Sequence, residues 1–548
     1  MKLGQVLLGG GVLLVSTPVL AGGLFVPGSG PVSTSRAGAS VASTDDGEAM
    51  SINPAGFAKA DGIKLTIGAT LIKYYMSFTR RGSYDPITNE DRPYEDQTYQ
   101  TVENDPKPPL GIGSFQPLPV IVVSWDLGDR VPGLTTAVGL YTPSGYPFRD
   151  MSQGFEFGDV VDPNMPSSLA PPPTRYDVWT QESALLLPSI AVAYKILPDL
   201  DVGLRLTAGR LKSKTQVVVW GTPGNVEEDI KKDALFTADV ADGFIPAAGI
   251  GATYRIGKSI ELGANWTSPV AIHAKGTAVS LRGSSVDTSR QIGPVPDADA
   301  VCETGGTMAA QKACISLQLP MTATVGGRYK IVDDNDEEIA DIELDVNWEN
   351  WGKTCEFDDA NIADSDCTSP GQYRVQIDAG LYTNNGTNYV DKVNSTNGAN
   401  QVNLGLKDTF GVRLGGSYKH KIGDAKIVGR AGFALDTQAA KTGWLRTNFD
   451  GAARQTIALG GAYETKTLAV NAGFGYIHEG TNSNPGTCNP TEASLGCNNG
   501  TMNPPEDRKG PDPTNPLLTP NTQFENPYNQ GSIKSHYLMF MLGMSKSW

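Results

Sequence analysis

The chain has 548 residues, a formal net charge of −15 and 63 glycines, while apolar residues make up 39% of it. The acidic balance argues against nucleic acid as a partner, because phosphate binding needs clustered Lys and Arg. Abundant glycine argues against a helix bundle, since Gly is costly inside helices. Past the N-terminus the sequence offers no run of 18 apolar residues, so it predicts no helical membrane span.

The first 21 residues are typical of an export signal. Lys2 supplies a positive charge, Leu3 to Val15 form an apolar stretch, and Val19-Leu20-Ala21 fits a cleavage site. We therefore expect residues 1–21 to be a signal peptide and the mature chain to begin at Gly22.

The six cysteines form three neighbouring couples. An even number of cysteines in an exported chain predicts disulfides, and none of the spacings is as close as the C-x2-C of a zinc site. The expected disulfides are Cys302–Cys314, Cys355–Cys367 and Cys488–Cys497. The four histidines are scattered singly, so the sequence predicts no metal centre and no cofactor.

From residue 63 onward, apolar residues alternate with glycine, small or charged residues, which is the period of a strand with two different faces. One example is the run in which Ile342, Leu344, Val346 and Trp348 alternate with Asp341, Glu343, Asp345 and Asn347. Fourteen such runs lie roughly at 63–78, 118–125, 134–141, 184–196, 201–220, 244–256, 260–275, 321–331, 340–351, 408–419, 425–435, 456–464, 468–477 and 536–548. An even number is typical of single-chain bacterial outer-membrane barrels.

The connections between these runs alternate between long and short. Turns such as 257–259 and 465–467 are short, whereas 276–320 and 352–407 are long and contain cysteines. Transmembrane barrels have short periplasmic turns and long outer loops. The terminal Trp548 also shares a face with the apolar residues of the last run, as in an interfacial aromatic girdle. We predict an all-β fold, a 14-stranded antiparallel transmembrane β-barrel over residues 63–548, in the bacterial outer membrane.

Residues 22–62 show no alternation, yet they are too apolar for an unstructured tail in water. A barrel of fourteen strands has a lumen wider than its own side chains fill, and some larger barrels are plugged. The sequence therefore predicts an N-terminal hatch that plugs the lumen.

Several motifs resemble the FadL/TodX family of outer-membrane transporters for long-chain fatty acids and other hydrophobic compounds. Ser-Arg-Ala-Gly-Ala-Ser-Val-Ala at 35–42, followed by Asp45-Asp46 and Asn53-Pro54-Ala55-Gly56, is similar to the family's hatch. Further similar stretches follow in order at 187–194, 319–321, 345–351, 406–410 and 429–436. The resemblance implies passive transport with ligand-gated hatch movement and lateral exit into the membrane. It also implies a hydrophobic small-molecule ligand, outer-membrane lipid as a partner, and a monomer.

The same resemblance implies roles for the hatch residues. Asn53, Pro54 and Ala55 match the hatch motif beside the lateral gap, although Asn-Pro is also a common turn opener. Leu24 and Phe25 lie where the mobile N-terminus would touch ligand, or where it would simply seat the plug.

In the wall, Pro143 and Gly145 follow the third strand and are candidates for the lateral opening, since proline interrupts ladder hydrogen bonds; ordinary loop onset is the alternative. Arg210 resembles the family's arginine that holds a fatty acid carboxylate. Other candidates from alternation are Arg205, Arg255, Arg328 and Arg413, which would more often brace a polar barrel interior against acidic residues.

Enzyme activity is not expected. The sequence has no G-x-S-x-G elbow, and Gly257-Lys258-Ser259 and Gly352-Lys353-Thr354 lack the earlier glycine of a phosphate loop. Besides transport, a second hypothesis is a non-transporting surface barrel that displays disulfide-stapled loops for adhesion or recognition, and a general porin is a third. A mobile plug separates these hypotheses, because a display barrel has no need of one.

Overall fold

A computed structural model describes much of the chain after residue 24. The described residues are 25–86, 92–128, 130–143, 145, 148–156, 169–219, 228, 230, 233–282, 291–292, 312–354, 369–377, 381–384, 389–393, 399–441, 444–484, 497–498, 501–502 and 531–548. The predicted signal peptide and Leu24 lie outside them. Cys314 is disulfide-bonded. Since Cys302, Cys355, Cys367 and Cys488 lie outside the described residues, the three pairings stay predictions.

Fourteen wall strands are formed by the described residues, and two of them are interrupted. They are β1 Ile63–Arg80, β2 Gln116–Asp126, β3 Leu134–Tyr141, β4 Thr180–Leu197, β5 Leu200–Val219, β6 Ala234–Ile256, β7 Ile260–Thr267 with Val270–Arg282, β8 Lys312–Leu319 with Thr322–Val332, β9 Glu338–Glu349, β10 Thr409–Ile422, β11 Ala425–Asp436, β12 Arg454–Glu464, β13 Leu468–Asn484 and β14 Gly531–Ser547. Shorter strands in the loops are Val102–Glu103, Arg149–Asp150, Gln291–Ile292, Gln372–Ile377, Leu381–Asn384, Tyr389–Val393, Ala399–Asn403, Cys497–Asn498 and Thr501–Met502.

Each wall strand pairs antiparallel with the next along the chain. The last strand, β14, pairs with β1 from Ser547–Lys64 to Gly531–Arg80 and closes the barrel. The predicted 14-stranded antiparallel barrel is confirmed, and every predicted run falls on a wall strand. Several strands continue past the predicted ends on the long-loop side, for example β6, because the apolar alternation that located them ends where the outer face turns polar.

The outer face of the wall carries a belt of exposed apolar side chains. Representative members from different strands are Ile67, Leu204, Ile250, Leu344, Leu414 and Phe540. Above this belt, on the long-loop side, the rings of Tyr75 and His536 stack with centroids 4.6 Å apart, and Tyr476 lies 5.8 Å from His536. Amphipathic rings at this position are typical of a membrane–water interface. The belt and the rings identify the face that contacts lipid.

Residues 25–62, called here the inner segment, lie inside the barrel. The segment contains two α-helices, Pro31–Ser35 and Ala49–Ile52, and a 3-10 helix, Pro54–Lys59. Its residues approach strands on all sides of the lumen: Pro31 at β1 and β14, Val41 at β7 and β8, Pro54 at β5, and Arg36 at β10 and β11. Among the described residues, no helix is long and apolar enough to cross a membrane.

Three carboxylates on β9 hold the inner segment. Arg36 donates to both oxygens of Asp341 at 3.0 and 2.8 Å and to Glu343 at 3.0 Å. The backbone N–H groups of residues 40–42 donate to Asp345 at 2.8 and 3.0 Å and to Glu343 at 2.6 Å. Charge-assisted hydrogen bonds of this kind are about twice as strong as neutral ones. The acidic side chains of this membrane strand therefore anchor the middle of the inner segment.

Candidate functional site

A cavity of about 480 Å³ lies between the start of the inner segment and the wall near the end of β3. Apolar side chains form most of its lining, and they come from the inner segment, from six wall strands and from the loops. They include Phe25, Leu110, Leu118, Pro143, Leu185, Leu211, Phe236, Ala238, Ile272, Leu317, Leu319, Trp351, Leu404 and Phe449. A concave apolar site of this size is suited to one small hydrophobic molecule.

Aromatic rings form the end of the cavity next to the inner segment. The ring of Phe25 lies 5.6 Å from that of Trp351, which packs edge-on to Phe449 at 5.1 Å. The backbone oxygen of Phe25 accepts a hydrogen bond of 2.7 Å from the buried Arg454, whose Nε pairs with Glu479 at 2.7 Å. The first described residue of the inner segment is therefore fixed at the cavity by one ring contact and one charged hydrogen bond.

The opposite end of the cavity lies at a break in the wall. The last residue of β3, Tyr141, pairs with Val120 of β2 and Leu187 of β4. Beyond it, the cavity is lined by the residues of β2 and β4 that extend past the end of β3, namely 116–119 and 183–186, together with Pro143 and Gly145. Thus Pro143 and Gly145 share one cavity with Phe25, as the resemblance implies.

The charged side chains of the lining come from connections between wall strands. Among the lining residues that the structure describes, the charged ones are Arg149, Asp177 and Arg446. Nη1 of Arg446 lies 3.9 Å from Asp177, which also accepts hydrogen bonds from Thr447 Oγ1 at 2.7 Å and from the Asn448 N–H at 3.2 Å. Arg149 and Arg446 therefore bring two guanidinium groups to the lining, beside the carboxylate of Asp177.

The predicted motif residues Asn53, Pro54 and Ala55 lie against β5 and β6. Asn53 is fully buried, donates from Nδ2 to the Val41 oxygen at 2.7 Å and the Ala252 oxygen at 3.1 Å, and accepts from the Ala55 N–H at 3.1 Å. It thereby caps the 3-10 helix that begins at Pro54. The motif does not line the cavity, whereas Met50 and Phe57 of the same segment pack below the wall break, in one apolar cluster with Tyr141.

Arg210 is exposed on β5 and does not line the cavity. Along β5 the odd-numbered residues from 201 to 211 face inward and the even-numbered ones outward, so Arg210 shares its face with the lipid-facing Leu204 and Leu206. The structure therefore does not bring Arg210 to Phe25, Pro143 and Gly145.

The other four arginines brace the interior. Arg205 donates to the Met50 oxygen at 2.7 Å, Arg328 pairs with Glu261 at 2.9 Å, Arg413 lies 3.8 Å from Asp436, and Arg255 pairs with Asp201. The arginines that do reach the cavity, Arg149 and Arg446, were not singled out from the sequence. They lie between wall strands, where the chain has no periodicity that would assign a side chain to the inside.

A family model described as outer membrane protein transport protein (OMPP1/FadL/TodX) matches residues 183–493, which is more than half of the chain. A search of curated protein sequences finds no match. Among solved structures, the fold is similar to that of a Pseudomonas aeruginosa FadL homologue, with a TM-score of 0.62 and 13% identity over 96% of this chain and 99% of that one. For the Pseudomonas putida toluene transporter TodX, the TM-score is 0.56 and the sequence identity is 12%, over 96% of this chain and 100% of that one.

The Ralstonia pickettii toluene transporter TbuX gives a TM-score of 0.56 and 11% identity over 95% of this chain and 99% of that chain. At these identities the structural matches show the fold, and the family model shows the kinship. Together with the closed barrel and its outer apolar belt, they place the protein in the bacterial outer membrane. The chain belongs to the OMPP1/FadL/TodX family of outer membrane transport proteins.

Proposed function

We propose that the protein carries long-chain fatty acids or other hydrophobic molecules passively through the outer membrane. The observation that supports this most directly is a single apolar cavity that extends from the start of the inner segment to a break in the barrel wall. Two proteins of the same fold, TodX and TbuX, are described as toluene transporters. The protein is proposed to act as a monomeric transporter without enzymatic activity.

Capture of the ligand follows from the lining. An apolar molecule gains free energy on leaving water in proportion to the apolar area it buries, so entry needs no energy source. The guanidinium groups of Arg149 and Arg446, which line the cavity, would also donate hydrogen bonds to a carboxylate head group. A neutral hydrocarbon would bind through the apolar side chains of the lining alone. The cavity therefore supports both ligand classes, with the arginines deciding between them.

Gating is proposed to act through Phe25. Its ring forms part of the cavity lining and rests on Trp351, so a ligand that takes this position displaces the start of the inner segment. The segment is the hatch in this mechanism, and the carboxylates of β9 keep its middle in place while its start moves.

Exit is proposed to be lateral. Pro143 and Gly145 line the cavity beyond the end of β3, level with the outer apolar belt. A hydrophobic molecule that leaves there enters lipid without crossing the polar remainder of the lumen. The outer-membrane lipid is then the acceptor of the transported molecule.

The test is uptake of labelled oleate and labelled toluene by cells that lack their own transporter. The unmodified chain is compared with a deletion of residues 22–25, with Arg446→Gln, and with Arg430→Gln as a control, because Arg430 lies outside the cavity lining. We expect the deletion to abolish uptake, Arg446→Gln to reduce oleate uptake alone, and the control to behave like the unmodified chain. If neither compound enters the cells although the barrel is inserted in the outer membrane, transport is contradicted and the surface-display hypothesis is favoured.

A further inference from the structure

The β-ladder between β6 and β7 is interrupted on the long-loop side of the exposed Ile250 and Trp266. Below the interruption the last pair is Gly249–Thr267, and above it the first pair is Ala241–Lys275. Residues 242–248 on one strand and 268–274 on the other therefore lie outside the ladder. We call these two stretches the seam.

Hydrogen bonds outside the regular ladder join the two strands at both ends of the seam. At the lower end, Ser268 Oγ accepts the Ala248 N–H at 2.9 Å, and the Ser268 N–H donates to the Ala248 oxygen at 2.8 Å. At the upper end, Asp242 accepts the N–H of His273 at 2.8 Å and that of Phe244 at 3.1 Å. Pro246 and Pro269 have no N–H to donate. The two strands are thus fastened at the ends and free of ladder bonds between them.

The seam separates the cavity from lipid by a single layer of side chains. On the outside, Phe244 is 68% exposed, and the lipid-facing Ile250 and Trp266 lie below it. On the inside, Ile245 and Ile272 are almost fully buried in an apolar cluster that reaches the cavity, where Ile272 is part of the lining. Irregular backbone at membrane depth is tolerated where it is buried in protein or lines a cavity.

Cationic side chains lie on the outer face beside the seam and directly above it. Arg210, Lys212 and Lys275 are all exposed. Lys212 pairs in register with Ala241, which pairs with Lys275. Since neighbouring strands are about 4.8 Å apart, the two lysines project from positions about 10 Å from each other. The seam is mostly apolar, and its one carboxylate, Asp242, accepts backbone N–H groups of the seam itself. With a pair of lysines above it, the seam matches a molecule with an alkyl chain and an anionic head.

We propose that the seam is a second lateral mouth of the cavity, which takes the alkyl chain of an anionic amphiphile while Lys212, Lys275 and Arg210 hold its head. This inference rests on the proposed transport function and adds a second route to it. It also gives the exposed Arg210 a position from which it meets the anionic group outside the wall. The amphiphile is a free fatty acid or a lipid with a phosphate head, which share this chemistry.

The test uses the purified protein in lipid nanodiscs with two photoreactive probes, palmitic acid and palmityl alcohol, each with a diazirine on the alkyl chain. Labelled residues are mapped by mass spectrometry. The variant Ala271→Trp covers the seam from outside, and Ala264→Trp is its control, because Ala264 also faces outward but lies in an unbroken ladder. Lys212→Gln and Lys275→Gln remove the cations.

We expect the acid probe to label 242–248 and 268–274, and Ala271→Trp, but not Ala264→Trp, to remove that labelling. Each lysine substitution lowers labelling by the acid about fivefold, the effect of one surface cation facing an anionic lipid, and leaves the alcohol unchanged. If dioleoylphosphatidate displaces the acid probe from the seam, a membrane lipid is supported as the amphiphile. If only unlabelled palmitate displaces it, the free acid is supported. Labelling at Pro143 and Gly145 without labelling of the seam overturns the second mouth and leaves the proposed function intact. Labelling at neither place, together with absent uptake in cells, overturns both.

Discussion

Arg454 donates to the backbone oxygen of Phe25 at 2.7 Å while its Nε pairs with Glu479 at 2.7 Å. The guanidinium and the carboxylate are both almost fully buried. A buried pair of this kind is held in one geometry by its neighbours, so the position of Phe25 is set by the barrel wall. The ring of Phe25 also packs against Trp351 and the apolar cluster around it, and a ligand in the cavity can compete with those contacts.

Replacing Phe25 with Ala is expected to loosen the start of the inner segment. The ring is half-buried, so its loss removes about 1.5 kcal/mol of apolar burial, which is roughly a tenfold increase in the detached population. Mobility of a nitroxide label at Ser29, measured by electron paramagnetic resonance, should increase. Phe25→Leu keeps most of the apolar area and should resemble the unmodified chain; equal mobility in both variants would contradict the ring's role.

Replacing Arg36 with Met is expected to destabilise the packed inner segment by about 3 kcal/mol, because Asp341 and Glu343 lose a buried cationic partner. The same substitution at Arg430 is the control, since Arg430 pairs with Glu464 on the wall. Urea unfolding in lipid vesicles measures the difference. Similar losses in the two variants would show that β9 does not anchor the segment.

Glycines on the inner wall make room for Asn53 and Pro54 of the inner segment. A Cβ atom added at Gly251 would overlap Asn53 Oδ1, and one added at Gly203 would overlap the backbone at Pro54. Gly251→Ala should therefore cost about 2 kcal/mol by overpacking. Gly429→Ala is the matched control, because nothing lies within 4 Å of that added Cβ. A thermal shift assay that finds equal melting temperatures would contradict the close approach.

The stability of the inner segment should depend on pH through Glu48. Its two oxygens accept the N–H groups of Val32 and Ser33 at 2.8 and 2.7 Å, and burial, with the charge of nearby Asp46, raises the pKa of Glu48 to about 7. A carboxyl group with a raised pKa binds its proton more tightly in the folded state, so its contribution is present at low pH and is lost as pH rises from 4.5 towards 7. The melting temperature should therefore fall over this range.

Glu48→Gln is the reference for that measurement. The variant cannot titrate at this position, so its melting temperature should lack the part of the pH dependence that Glu48 supplies. If the melting temperatures of the two proteins depend on pH in the same way, Glu48 is excluded as the source of that dependence.

Most of the wall was predictable from the sequence, because each strand must alternate between lipid and lumen and therefore leaves a period of two. The strands extend further than predicted where they leave the apolar belt, as at β14, whose outward residues His536 and Lys534 are polar. The presence of the inner segment followed from its apolar composition. Its contacts, such as Arg36 with Asp341, join residues 305 positions apart and leave no local pattern.

The cavity was only partly predictable. Phe25, Pro143 and Gly145 were expected at the ligand path and lie on one cavity. Arg210 was assigned by resemblance, although the alternation of Arg205, Thr207 and Gly209 already places even-numbered residues of β5 on the outer face. Arg149 lies on a two-residue strand and Arg446 on loop backbone, and neither stretch is long enough or regular enough to show a periodicity from which to read a direction.

The most direct test of transport through the cavity is to fill it. Ala238 is almost fully buried and lines the cavity, whereas Ala264 faces outward from an unbroken ladder, so Ala238→Trp and Ala264→Trp add the same bulk inside and outside. Entry of oleate and toluene into proteoliposomes is measured for both variants after their insertion has been verified. Our account predicts that Ala238→Trp reduces entry to the background of protein-free liposomes while Ala264→Trp leaves it unchanged. Undiminished entry through Ala238→Trp would contradict it.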